Sequence, residues 1–262
     1  MDGTRPTLPQ RVTAVLHAKQ YLVFFAIGLY VLDLAVPITS AWLYRRGPLA
    51  ELLRNTWGPL ADAVAARSML IAAFFVVYLL VGTWLRAGYI RSLVGPFHLR
   101  PADRRQFLRL LVLELALEVV GALAAGAIAL AGDDLLLTNA VVLGLLAFYF
   151  VVLYSDYIIV IADVGPLRAV ALSWRTVMAT LVPSSLILLA VTLLGNAATG
   201  LLDESVSGSF ARALPMMLVQ CMIMGGVVFV ADVVLVALYL NAAESGRLMK
   251  PKSRSAGDGR ML

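Results

Sequence analysis

The 262-residue chain predicts an all-α fold, a polytopic transmembrane bundle of six helices with both termini on the cytoplasmic side and short interfacial helices in its loops. Three observations carry this reading: hydrophobic residues are 61% of the chain and charged residues 14%, mean hydropathy is +0.89, and the apolar residues gather into six blocks of bilayer-crossing length. A hydrocarbon layer about 30 Å thick takes roughly 20 residues of helix rising about 1.5 Å per residue. Inside it every backbone N–H and C=O must be satisfied within its own segment, so the blocks are helices and not strands.

Taken in order, the spans are Tyr21 to Tyr44, Ser68 to Leu85, Phe107 to Leu130, Leu135 to Tyr154, Val177 to Leu202 and Leu214 to Leu240. Together they form one transmembrane domain, residues 1–242. The basic tail, residues 243–262, lacks apolar periodicity and reads as disordered. The first block resembles a signal peptide at Pro37 to Ala41, but its length and Asp33 within it favour a retained helix. The single cysteine, Cys221, lies within the sixth span, so an intramolecular disulfide is excluded.

Orientation follows from the basic residues, which are retained on the cytoplasmic side of short loops. Arg5, Arg11 and Lys19 precede the first span, a dense group from Arg86 to Arg109 follows the second, Arg168 and Arg175 precede the fifth, and Arg247 to Arg260 follow the sixth. This places the protein in the cytoplasmic membrane as a multi-pass, N-in and C-in chain. The same distribution accounts for the net charge of +5 without a nucleic-acid partner, since the cations are spread over juxtamembrane loops that face anionic lipid. Two loops carry apolar stripes that suit the membrane surface: Arg45 to Arg67, and Arg86 to Arg105 with Tyr89, Leu93, Val94, Phe97 and Leu99.

Acidic residues inside the spans are costly and mark the first place to look for function. Asp33 and Glu118 lie near the middle of their spans, Glu114 shares the helix face of Glu118 four residues on, and Asp232 lies in the cytoplasmic half of the sixth span. Asp33, Glu114, Glu118 and Asp232 form a candidate intramembrane polar site. Three roles stay open for it: packing as paired or neutral groups, a cation or proton pathway, or a polar ligand site using nearby arginines. His17 and His98 lie in juxtamembrane segments without metal spacing, and neither a nucleophile elbow nor a phosphate loop is present, so the sequence points to no catalytic residue, cofactor or metal.

The most distinctive local sequence runs from Ser155 to Arg175, SDYIIVIADVGPLRAVALSWR. Asp156 and Tyr157 close one span, Pro166 opens a short amphipathic helix, and Ser173, Trp174 and Arg175 stand at the mouth of the next. Asp156, Ser173, Trp174 and Arg175, with Arg86, form a candidate cytoplasmic headgroup or ion-pair site in which Arg175 reaches either Asp156 or a lipid phosphate. Through Asp156, Tyr157, Ile159, Val160, Gly165, Ala169, Ser173, Trp174 and Arg175 the run resembles the linker between spans in the glycerophosphoryl diester phosphodiesterase membrane-domain-like family. The resemblance implies a membrane module without the phosphodiesterase barrel, facing lipid or serving envelope transport. A weaker echo, Gly58-Pro59-Leu60 against Gly165-Pro166-Leu167, suits an inverted repeat but is three residues long.

The sequence therefore predicts a non-enzymatic envelope module whose partners are membrane lipids, anionic ones included, or a membrane protein, a second copy among them. The alternatives are a small-solute or ion transporter using the intramembrane carboxylates, and a membrane-embedded hydrolase of phospholipid headgroups.

Overall fold

The computed structural model describes residues 7–32, 64–132, 134–206 and 210–245. Asp33, most of the loop from Arg45 to Arg67, the outer half of the predicted first span, Asp133, Ser207, Ser209 and the basic tail lie outside the described residues. Within them the chain is helical and has no strand. In order the helices are α1 (Leu8–Lys19), α2 (Leu22–Leu32), α3 (Val64–Val94), α4 (Arg104–Ala131), α5 (Leu135–Val152), α6 (Ser155–Ala162), α7 (Pro166–Ala179), α8 (Leu181–Val206) and α9 (Phe210–Glu244).

Four segments are long and apolar enough to cross a membrane: Ala73–Val94, Arg104–Ile128, Leu135–Ala162 and Leu218–Glu244. Two bent pairs, α1 with α2 at 83° and α7 with α8 up to Gly195 at 100°, raise the number to as many as six. The second, third, fourth and sixth predicted spans thus coincide with apolar helices whose boundaries move, the fifth is bent near its start, and of the first only the stretch to Leu32 lies among the described residues.

Local chemistry explains the ends. Asp103 caps α4 by accepting from Gln106 N at 2.7 Å, while Gln106 Oε1 accepts from Ala102 N at 2.8 Å. Asp134 caps α5 by accepting from Leu136 N and Leu137 N. Asp163 ends α6 in the left-handed region at φ 51°, where Arg109 donates to both its carbonyl and its carboxylate.

The fifth span departs from the expected continuous helix from Val177. Pro183 has no N–H for the carbonyl of Ala179 and its ring collides with that carbonyl, so the helix stops at Ala179 and restarts at Leu181, with Pro183 tolerated in the new first turn. The break is held by hydroxyls: Tyr154 Oη lies 2.7 Å from Ser184 Oγ and 3.2 Å from Thr180 Oγ1, and the latter two are 2.9 Å apart.

Two stretches read as headgroup-level loops are helical and inside the bundle. α3 continues past Leu85 to Val94 with Tyr89, Ile90 and Leu93 buried, so only the turn beyond it, with Phe97 and Leu99 exposed, suits the interface. Ser155 to Val160 are all buried in α6, which prolongs the fourth span instead of leaving the membrane.

In lipid, helices associate through close packing and polar contacts, because lipid tails are as apolar as the side chains they would replace. Two glycines carry this. A Cβ on Gly88 would lie 2.7–2.9 Å from the backbone of His98, Leu99 and Arg100, so its hydrogen lets the turn after α3 fold back on that helix. A Cβ on Gly225 would lie 2.6 Å from Ile27 Cα, which makes this glycine the crossing point of α2 and α9.

One end of the bundle is tied together by polar contacts. Arg11 of α1 forms a two-pronged pair with Glu244 at the end of α9, at 2.9 and 2.6 Å, and Lys19 donates to the Gly95 carbonyl just past α3. Gln106 of α4 donates to the Val160 carbonyl of α6 at 3.0 Å. The beginning of α1 and the end of α9 therefore lie at the same end as the arginine-rich turn before α4.

Candidate functional site

Below that polar end a charged cluster is built around Arg86, eight residues before the end of α3 and so roughly 12 Å inside the bundle at 1.5 Å per residue. Its Nε donates to Asp156 Oδ2 at 2.8 Å and its Nη2 pairs with the same oxygen, while Glu114 Oε1 lies 3.7 Å from Nε. Asp156 Oδ1 accepts from Tyr157 N at 2.8 Å, which fixes the carboxylate in the first turn of α6. On the far side Tyr157 Oη donates to Asp232 Oδ1 of α9. Asp232 is 4% exposed and its Oδ2 has no hydrogen-bond partner, and Tyr89 Oη, fully buried on α3, faces the same carboxylate without a full hydrogen bond.

Arg86 also borders a small cavity of about 50 Å3 between α2, α3 and α4. Tyr78, Thr83, Glu114 and Glu118 line it, with Tyr78 Oη 3.5 Å from Glu118 Oε1. The shared face predicted for Glu114 and Glu118 is thus real, and both carboxylates meet one polar space. Asp232 stands across Arg86 from that space, joined to it through Tyr157 and Asp156, so the described members of the predicted intramembrane site form one network.

The second predicted constellation divides. Asp156 and Arg86 pair, but inside the bundle and with each other: Arg175 is exposed on α7 and makes no ion pair among the described residues, and Trp174 beside it is 45% exposed. Ser173 is fully buried and structural. Its Oγ accepts from Tyr154 N at 3.0 Å and donates to the Val151 carbonyl at 2.7 Å, bridging the join between α5 and α6. Ser173 faces the bundle interior while Trp174 and Arg175, the next two residues of the helix, are exposed, so Ser173 stands apart from the other two. Glu114 has Arg86 as a basic neighbour, and Arg109 pairs with Asp163.

A third arrangement lies at the polar end. Arg104, Arg105 and Arg109 of α4 line a groove of about 460 Å3 with Leu108, Val112 and Pro166. Arg104 and Arg105 are exposed, and Leu108, Val112, Leu115 and Val119 continue outward along the same helix as an apolar stripe. In the neighbouring turn, partial burial and then the charges of Arg91, Lys19 and Arg100 hold the His98 imidazole below its ordinary range.

Sequence reasoning missed the roles of Thr83, Tyr89, Tyr157 and Gln106. Gln106 alone offered a signal, three residues after Asp103 at a helix start. Neither a protein-family model, nor a curated protein, nor a solved structure matches the chain.

Proposed function

We propose that this chain is a six-span protein of the cytoplasmic membrane, N-in and C-in, that works as a non-enzymatic module by associating with anionic lipid. The observation that carries the reading is the groove of Arg104, Arg105 and Arg109 set above an apolar stripe on the same helix. That combination matches an anionic phospholipid: guanidinium groups meet phosphate in forked hydrogen bonds, and an acyl chain follows Leu108, Val112, Leu115 and Val119 into the hydrocarbon. Arg109 is braced by Asp163, which leaves Arg104 and Arg105 as the exposed cations that meet the headgroup.

Native mass spectrometry of the protein released from mixed micelles tests this. Arg104→Gln with Arg105→Gln should lower retention of phosphatidylglycerol by about tenfold, equivalent to about 1.4 kcal/mol, while leaving phosphatidylcholine retention unchanged. Equal retention of both lipids by the variant and the parent would remove the groove from the account. A second reading, a small-solute or ion transporter, draws on the Arg86 network and its cavity; alternating accessibility of Thr83 from the two sides of the membrane would support it.

A further inference from the structure

We infer that Asp232 is a proton-binding site: its carboxyl group carries the proton that offsets the excess negative charge around Arg86, and exchanges it with water while Tyr157 and Tyr89 hold the carboxylate form. The inference is independent of the lipid groove, which lies at the polar end of α4.

The charge balance comes first. Among the described residues Arg86 is the cation that faces both Asp156 and Asp232, which are 7% and 4% exposed. With both acids ionised, these three side chains leave one negative charge in the interior of the bundle, where an uncompensated charge is expensive. A single proton removes it. Glu114, 3.7 Å from Arg86 Nε on the cavity side, shares the same guanidinium and so leaves less of its charge for Asp232. The other charged groups on the helices packed around α9 do not reach this depth: α2 has none, Arg11 and Lys19 of α1 meet Glu244 and the Gly95 carbonyl, His17 of α1 and Arg168 and Arg175 of α7 are exposed, and Asp203 and Glu204 fall in the last turn of α8.

Geometry then decides which acid holds the proton. Asp156 is fixed as the anion, because its Oδ2 takes both guanidinium contacts from Arg86 and its Oδ1 accepts from Tyr157 N. Asp232 makes no ion pair among the described residues; its Oδ1 accepts from Tyr157 Oη, and its Oδ2 has no hydrogen-bond partner. Both protonation forms are provided for. A proton on Oδ2 finds an acceptor in Tyr89 Oη, which faces this carboxyl group, is fully buried and is itself without a partner. Once the proton has left for water, the same phenol turns to donate, and Tyr89 and Tyr157 then give one O–H to each carboxylate oxygen.

The test uses the full-length protein in neutral detergent with its aspartate carboxyl carbons isotopically labelled, so that the infrared bands of aspartate separate from those of Glu114 and Glu118. At neutral pH the parent should show a labelled carboxylic-acid C=O band that shifts in heavy water, and Asp232→Asn should remove it. Tyr157→Phe should move the band to higher frequency, because the Oδ1 carbonyl loses its donor. Equilibrium unfolding against pH is the second readout. Over the range where the folded protein keeps the proton and the unfolded chain, with aspartates ionising at about pH 4, has released it, the folding constant should fall about tenfold for each unit of rising pH, and Asp232→Asn should remove that slope. Tyr157→Phe decides the matter should Asp232→Asn fail to fold. An aspartate spectrum without an acid band at neutral pH would overturn the inference, leaving Asp232 an anion held by two phenols and Arg86. A band that survives Asp232→Asn, or that Tyr157→Phe leaves in place, would overturn it too, by putting the proton on another aspartate.

Discussion

Arg86→Met should cost about 3–5 kcal/mol of stability, because it leaves Asp156 buried without its cation. Asp156→Leu should cost a similar amount for the converse reason. The double variant, Arg86→Met with Asp156→Leu, should be less harmful than the sum of the two by about 0.5–3 kcal/mol, since removing both charges together strands neither. Full recovery is not expected, because Glu114 and Asp232 also face Arg86. Equilibrium unfolding of the four proteins in mixed micelles measures the cycle. Strictly additive losses would show that Arg86 and Asp156 act separately, and would return Arg175 to consideration as the partner of Asp156.

The second large effect belongs to Gly225. Gly225→Ala places a methyl group 2.6 Å from Ile27 Cα and should cost about 1–3 kcal/mol, through forced separation of α2 and α9. Its neighbour is the control. A Cβ on Gly226 meets nothing within 4 Å, so Gly226→Ala should be neutral or stabilising through the better helix propensity of alanine, worth up to about 1 kcal/mol. Because propensity acts equally at both positions, the difference between the two variants isolates the crossing. Equal stability of Gly225→Ala and Gly226→Ala would rule out this contact.

What was legible in the chain was what depends on neighbours in sequence. Apolar blocks mark the helices, and the four-residue spacing of Glu114 and Glu118 marks a shared face that the fold uses as such. Arg86 was misplaced for an instructive reason. Hydropathy treats an arginine as the edge of a span, whereas here Asp156, 70 residues later, compensates the charge and lets α3 run on to Val94. The same applies to Ser155 to Val160, which looked like a linker but lie inside the bundle, where Asp156 is paired by Arg86 and the Tyr157 hydroxyl meets Asp232. No local pattern reports such a pairing. Gly225 and Ile27 likewise meet only in three dimensions, and nothing near Thr83 distinguishes an orphaned hydroxyl from the many that bond back to their own helix, as Thr176 does to the Leu172 carbonyl.

The central claim is a membrane bundle whose arginine-rich end faces the cytoplasm, and the accessibility of the two ends to an impermeant reagent tests it most directly. Leu136, in the first turn of α5 at the opposite end, and Leu167, in the first turn of α7 at the arginine-rich end, are 82% and 89% exposed. In a Cys221→Ser background, Leu136→Cys and Leu167→Cys each supply one thiol for a membrane-impermeant maleimide applied to intact cells with a permeabilised outer envelope. The account predicts labelling at position 136 and none at 167 until the cytoplasmic membrane is opened. Labelling at 167 alone, or at both positions in sealed cells, would contradict it.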